Sequence, residues 1–217
     1  VLTLEGKVAI ITGSAQGMGA EHARTFVELG AKVAIADVLG EEGRTIAKEL
    51  GADGEFFHLD VTEPEQWVDV ADRVTAQWGP MTVLVNNAGV PGPFVQTADL
   101  TVADYLKTVA VDQHRVFYGM RTVIPGMIDA GGGSIVNISS VAGFAHVRNV
   151  PNAAYTAAKF AVRGLTRATA VEYAKKGIRV NCVMPGPVAT PMMLNSGMHE
   201  VRKLVGSAAA MDRCASR

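Results

Sequence analysis

The feature that most limits the folds open to this chain is a short apolar run that breaks abruptly into glycines. Val8-Ala9-Ile10-Ile11 is followed at once by Thr12-Gly13-Ser14-Ala15-Gln16-Gly17-Met18-Gly19, and then by a helical pattern that reaches Leu29 and stops at Gly30. The run reads as a strand, Lys7 to Ile11, that is buried on both faces, because β-branched residues follow one another without polar alternation. A strand, a glycine turn and a helix in direct succession favour a parallel crossover unit. Glycines in such a turn let the backbone approach a phosphate closely, and a helix N-terminus offers it free N–H groups and a positive dipole end. The spacing is not G-x-G-x-x-G, since three residues separate Gly13 from Gly17.

The same unit then repeats. A second strand, Lys32 to Ala36, delivers Asp37 and Val38 at its C-terminal end, about 20 residues beyond the turn, where an acidic residue accepts hydrogen bonds from a ribose. A helix from about Glu41 to Leu50 leads to a strand from Glu55 to Leu59, which ends in Asp60-Val61. Thr62-Glu63-Pro64-Glu65 opens another helix, in which Trp67 and Trp78 read as packing residues. A fourth strand, Thr82 to Val85, ends in Asn86-Asn87-Ala88-Gly89. A long helix from about Thr101 towards Ile124 is expected to end or kink at Pro125. After Gly131-Gly132-Gly133 comes a strand from Ser134 to Ile138, delivering Ser139 and Ser140. An alanine-rich helix past Glu172 carries Tyr155 and Lys159, and Ile178 to Val183 forms the sixth strand, followed by Pro185. This alternation predicts one doubly wound α/β domain with a parallel sheet, whose ligands lie beyond the strand C-termini.

Tyr155-x-x-x-Lys159 brings chemistry to that edge. Residues four apart share a helix face, and a cation beside a phenol favours the phenolate, which makes the tyrosine a usable general acid/base. Asp37 at the ribose position repels a 2′-phosphate, and neither Lys nor Arg stands in the glycine loop or directly after Asp37. NAD(H) is therefore expected rather than NADP(H).

Composition restricts the partners. A net charge of −1 gives no broad field for nucleic acid or an anionic membrane, and 48% hydrophobic with 19% charged residues is a globular balance. The apolar runs are too short to span a bilayer, and no secretory signal opens the chain. Cys182 and Cys214 have no metal-ligand spacing, nor do His58, His114 and His146, so no metal is expected and a reduced, cytoplasmic protein is.

Taken together, Thr12-Gly13-x-x-x-Gly17-x-Gly19, Asp60-Val61, Asn86-Asn87-Ala88-Gly89, Ser140, Tyr155-x-x-x-Lys159 and Pro185-Gly186 resemble the short-chain dehydrogenase/reductase family, from about Leu4 to Met193. Within it, Gly17-Met18-Gly19-Ala20 and His58-Leu59-Asp60-Val61-Thr62 are most like NAD-dependent hydroxysteroid dehydrogenases of the 3α/20β type. The resemblance implies a Rossmann-type domain, a secondary alcohol or ketone substrate, with hydroxysteroids included, and a homotetramer or dimer. It also implies roles. Gly13, Gln16, Met18 and Gly19 would hold the pyrophosphate, Asp37 and Val38 the ribose, and Asp60 and Val61 the adenine. Asn87, Ala88 and Gly89 would line the adenosine side. Pro185, Val188 and Thr190 would meet the nicotinamide, Ser140 the substrate oxygen, Tyr155 the proton and Lys159 the nicotinamide ribose. Residues from about 186 to 205 would form a substrate lid, and 206–217 a tail of uncertain order.

Two departures stand out. Val111-Asp112-Gln113-His114-Arg115 occupies the place of Val-Asn-x-x-Gly, so a carboxylate replaces the asparagine that supports a proton relay. Asp112 is then either part of the site, where its charge works against the phenolate, or a solvent-facing or kink-capping residue. The family's last strand and C-terminal segment are also not found after Met192. Two other functions stay open: reduction of 3-oxoacyl thioesters, which in this family usually goes with NADPH, and nucleotide binding with little or no catalysis.

Overall fold

The computed structural model describes residues 3–146 and 149–195. Six strands form one parallel sheet in the order β3-β2-β1-β4-β5-β6: β1 Val8–Thr12, β2 Lys32–Asp37, β3 Gly54–His58, β4 Val83–Asn86, β5 Gly133–Ile138 and β6 Ile178–Val183. The order reverses between β1 and β4, and that switch point opens the crevice in which such sheets bind ligands.

The apolar runs are explained by burial on both faces. Val8, Ile10, Ala34, Ala36 and Leu84 pack on one side, with residues of α3 (Pro64–Trp78), α5 (Arg115–Asp129) and α6 (Ala153–Tyr173). Their neighbours Ala9, Ile11, Val33, Ile35 and Val85 pack on the other, with α1 (Gly17–Glu28) and α2 (Gly40–Leu50). Trp67 is fully buried, and its indole N–H donates to the Val61 carbonyl at 3.0 Å. Packing, as expected, is its role.

The long central helix differs from expectation. α4 (Val102–Val109) passes into a π-helical turn, Ala110–His114, before α5 begins. Pro125 does not end the helix, which continues to Asp129. A proline inside a helix frees the carbonyl four residues earlier. Arg121 and Pro125 both lie on the exposed face, where water can satisfy that carbonyl. An irregularity that was not anticipated, the π-helical turn, falls at Asp112. Of the expected lid, residues 186–195 are described and include the short helix α7 (Pro191–Asn195), which was not anticipated. The remainder, and the tail 206–217, lie outside the described residues.

Candidate active site

Two adjoining cavities lie over the C-terminal ends of the strands. The larger, about 400 Å³, is bordered by the glycine turn, Asp37 and Val38, Asp60 and Val61, Asn87 to Gly89, and Thr190. The smaller, about 160 Å³, is bordered by Ser140, Tyr155, Pro185 and Val188, with an otherwise mainly apolar wall that includes Phe94, Val150 and Met192. Met18, Thr190 and Met192 border both.

The glycine turn is built for close approach. Gly13 has φ +64°, and a Cβ there would lie 2.6 Å from the Ala88 Cα. A Cβ at Gly19 would fall 2.1 Å from the Gly13 carbonyl oxygen, so Gly19 lets α1 pack directly under the turn. Gln16, in extended conformation, occupies the N-cap position, and the first turn of α1 has no acidic residue to compete with an anion. Asp37 fixes this loop. Its Oδ2 accepts from the Ala15 N–H at 2.9 Å and its Oδ1 from the Leu39 N–H at 3.1 Å. A carboxylate has about four lone-pair sites, so acceptor capacity remains on a residue that borders the cavity. Ser14 adds a second brace, donating to the Ile11 carbonyl at 2.6 Å and accepting from the Ala36 N–H at 3.0 Å.

Several predicted cofactor contacts are also structural ties. The Asn87 amide donates to the carbonyls of Thr12 and Gly13, both at 3.0 Å, and the Thr12 hydroxyl accepts from the N–H groups of Asn87 and Ala88. Asp60 accepts through Oδ1 from the Thr62 N–H and hydroxyl at 2.9 and 2.7 Å. This clamps the turn before α3.

Tyr155 and Lys159 lie on one face of α6, with Lys159 Nζ 5.2 Å from the centre of the Tyr155 ring. Tyr155 is half-buried against the smaller cavity, and Lys159 is buried beneath it. Lys159 Nζ is 2.9 Å from Asp112 Oδ1 and donates to the Ile138 carbonyl at 3.4 Å. Asp112 thus does not face solvent: it is completely buried, and its Oδ2 accepts from the Val90 N–H at 3.3 Å. The Ser140 hydroxyl oxygen accepts from the Ala142 N–H at 3.1 Å, capping a short 3₁₀ turn while bordering the smaller cavity.

Other groups position the site, and of these Asn137, Arg163 and Thr166 were not singled out from sequence. Ser139 donates to the Lys159 carbonyl at 2.8 Å. Arg163 donates to the Gly143 carbonyl at 2.7 Å. A buried chain runs from the Asn86 amide to Asn137 Oδ1 at 2.9 Å, and from the Asn137 amide to the Thr166 hydroxyl at 3.0 Å, tying β4, β5 and α6 together. Arg115 is fully buried, with no hydrogen-bond partner for Nε, Nη1 or Nη2 among the described residues. Burial pushes its guanidinium down to about 10, while Asp112 and then Tyr155 pull it back up. The signal for it was present: Asp112, Arg115, Val116, Gly119 and Val123 form one helical stripe, and all are buried.

Comparison with known proteins agrees with this geometry. The short chain dehydrogenase family model matches residues 7–200. The chain is 47% identical over 189 residues to the 3-alpha-(or 20-beta)-hydroxysteroid dehydrogenase of Mycobacterium tuberculosis, covering 87% of this chain and 72% of that protein. It is 43% identical over 196 residues to the trans-4-hydroxycyclohexanecarboxylate dehydrogenase of Sinomonas cyclohexanicum, covering 86% and 74%. The crystal structure of gox2181 superposes with a TM-score of 0.94 at 31% identity, over 99% of this chain and 85% of that one.

Proposed function

The chain belongs to the short-chain dehydrogenase family, oxidoreductases acting on CH–OH groups, and from that premise we propose that it interconverts an apolar, ring-bearing secondary alcohol and its ketone with NAD. The observation that carries this reading is the placing of Tyr155 and Lys159 beneath a mainly apolar cavity that adjoins a second cavity ending at Asp37.

The residues present fit a dinucleotide. The space a Cβ would fill at Gly13 and Gly19 is the space the backbone needs to approach a pyrophosphate. The Asp37 carboxylate keeps acceptor capacity for ribose hydroxyls, and among the described residues no Lys or Arg borders the larger cavity to favour a 2′-phosphate. When bound, the nicotinamide supplies the hydride chemistry. Gly13, Gln16, Met18 and Gly19 would hold the pyrophosphate, Asp37 and Val38 the ribose, Asp60 and Val61 the adenine, and Asn87 to Gly89 the adenosine side. Pro185, Val188, Thr190 and Lys159 would hold the nicotinamide half.

In oxidation, Ser140 Oγ orients the substrate hydroxyl and Tyr155 Oη takes its proton. In reduction, Tyr155 Oη returns a proton to the carbonyl oxygen. Lys159, anchored by Asp112 and the Ile138 carbonyl, favours the phenolate. The Phe94, Val150 and Met192 wall excludes water and suits an alicyclic skeleton such as those in the names of both relatives above.

The proposal extends to a homo-oligomer, because Tyr105 and Leu106 on α4, Phe117 on α5 and Phe160 on α6 are exposed. It also extends to the cytoplasm: no described helix is long and apolar enough to cross a membrane, and Cys182 is a free thiol. A turnover screen tests the function. Cyclohexanols and hydroxysteroids should generate NADH absorbance with NAD. NAD binding without turnover of any alcohol would favour a binding protein, and NADPH-dependent reduction of a 3-oxoacyl thioester would favour the reductase alternative.

A further inference from the structure

Compared with the family's Val-Asn-x-x-Gly pattern, this centre has gained two charges together: Asp112 in place of the asparagine, and Arg115 in place of the glycine. Both side chains are fully buried. They flank the end of the π-helical turn Ala110–His114, which packs against α6. A lone buried carboxylate beside Lys159 would draw the ammonium's field away from the phenol, and it would oppose the phenolate directly. Lys159 is already paired with Asp112 at 2.9 Å, and Arg115 is a second buried cation on the same helical stripe as Asp112. Three residues apart, Asp112 and Arg115 are buried together, Asp112 and Tyr155 both draw the guanidinium pKa upward against burial, and its nitrogens have no hydrogen-bond partner among the described residues.

We propose that Arg115 is a positioning residue of the active centre, a buried second cation that neutralises Asp112 and so preserves the net positive surroundings in which Tyr155 exchanges its proton. The charges around Tyr155 are then Lys159, Asp112 and Arg115. They sum to one positive charge, the same as a lysine beside a neutral asparagine. The other element packed against Asp112, the loop after β4, contributes the Val90 N–H, which is uncharged. His114, on the same turn, packs against the Tyr118 ring at 6.2 Å between centroids. The two replacements are thus one compensated change, and neither is equivalent to a single substitution in a relative that keeps asparagine and glycine.

The inference rests on Tyr155 being the acid/base, so its test includes Tyr155→Phe as a separate arm. The experiment is the pH–rate profile of alcohol oxidation at saturating NAD. It is paired with an ultraviolet difference titration of the phenolate band in cofactor-free protein, with the Tyr155→Phe signal subtracted. Arg115→Met should move the ascending limb and the titration to higher pH by about one unit or more, the size expected when one nearby opposite charge is removed. Arg115→Lys should recover most of that shift. Asp112→Asn alone should move both to lower pH, and Asp112→Asn/Arg115→Met should return them close to wild type. Folded Arg115→Met with profiles superimposable on wild type would overturn the proposal. If Arg115→Met does not fold, Asp112→Asn is compared with the double variant, and equal profiles in that pair would overturn it. Failure of both Arg115→Met and the double variant to fold would also overturn it, by making the cation a requirement of the core. Retained turnover in Tyr155→Phe would instead sink the assignment of the acid/base, and leave Arg115 with no proton transfer to serve.

Discussion

Asp37→Ala separates the loop brace that its carboxylate forms from the ribose contact proposed for it. Asp37 is only 8% exposed and already accepts from Ala15 and Leu39, yet it borders the larger cavity. Losing charged hydrogen bonds to the ribose should cost NAD about 1.5–3 kcal/mol each. For NADP the effect has the opposite sign, because the carboxylate's repulsion of a 2′-phosphate disappears. At about 5 Å and an effective dielectric of about 20, that repulsion is roughly 3 kcal/mol per unit charge. The ratio of kcat/KM with NAD to kcat/KM with NADP should therefore fall by about tenfold or more. The variant also strips two backbone N–H groups of their partner, a cost of at least about 1 kcal/mol, or roughly 2–4 °C in Tm for a domain of this size. Asp37→Asn removes the charge but keeps one acceptor oxygen, so its Tm should fall less while its cofactor ratio still shifts. The assay is steady-state kinetics with both nucleotides, alongside thermal melting. A wild-type protein equally active with NADP, or an unchanged ratio in Asp37→Ala, would refute the assignment.

Two further outcomes follow from local geometry. Burial lowers the pKa of His22 from 6.5, and its Nδ1 is buried without a partner among the described residues. The unfolded chain therefore binds the proton more readily than the folded one. His22's contribution is fully present above about pH 6.5 and is lost as the pH falls below it; His22→Gln should flatten the curve of Tm against pH between 7 and 5, and parallel curves would contradict this. Gly19→Ala would set a Cβ 2.1 Å from the Gly13 carbonyl oxygen and 2.6 Å from the Asn87 amide nitrogen. Overpacking of this kind costs about 1–3 kcal/mol, so NAD affinity by calorimetry and Tm should both fall, and no change in either would show that the turn has room.

What could be read from sequence depended on how local its physical cause was. The strands were legible because parallel strands covered on both faces lack polar alternation, and Val8 to Thr12 shows this directly. The turn after β1 was legible because only glycine fits at Gly13 and Gly19. Asp112 was recognised as a departure, but its burial against Lys159 was not fixed by sequence, since a solvent-facing reading fitted equally well. The π-helical turn was not read from sequence; it packs, with α4, against α6, a contact between segments far apart in the chain. Pro125 does not end its helix, because that effect depends on whether the freed carbonyl meets solvent or core. Arg115 lay on a stripe with Val116, Gly119 and Val123, but a lone arginine on an apolar face usually snorkels to water. Only the packed structure shows that this one does not.

In the proposed mechanism Tyr155 moves the proton while Lys159 holds both cofactor and phenolate in place. Turnover and NADH affinity of Tyr155→Phe, measured beside Lys159→Ala, test it most directly. Tyr155→Phe keeps the ring and removes the exchangeable proton, so kcat should drop by about 10²–10⁴-fold with NADH affinity little changed. Lys159→Ala should lower both. Turnover of Tyr155→Phe close to wild type would contradict the account.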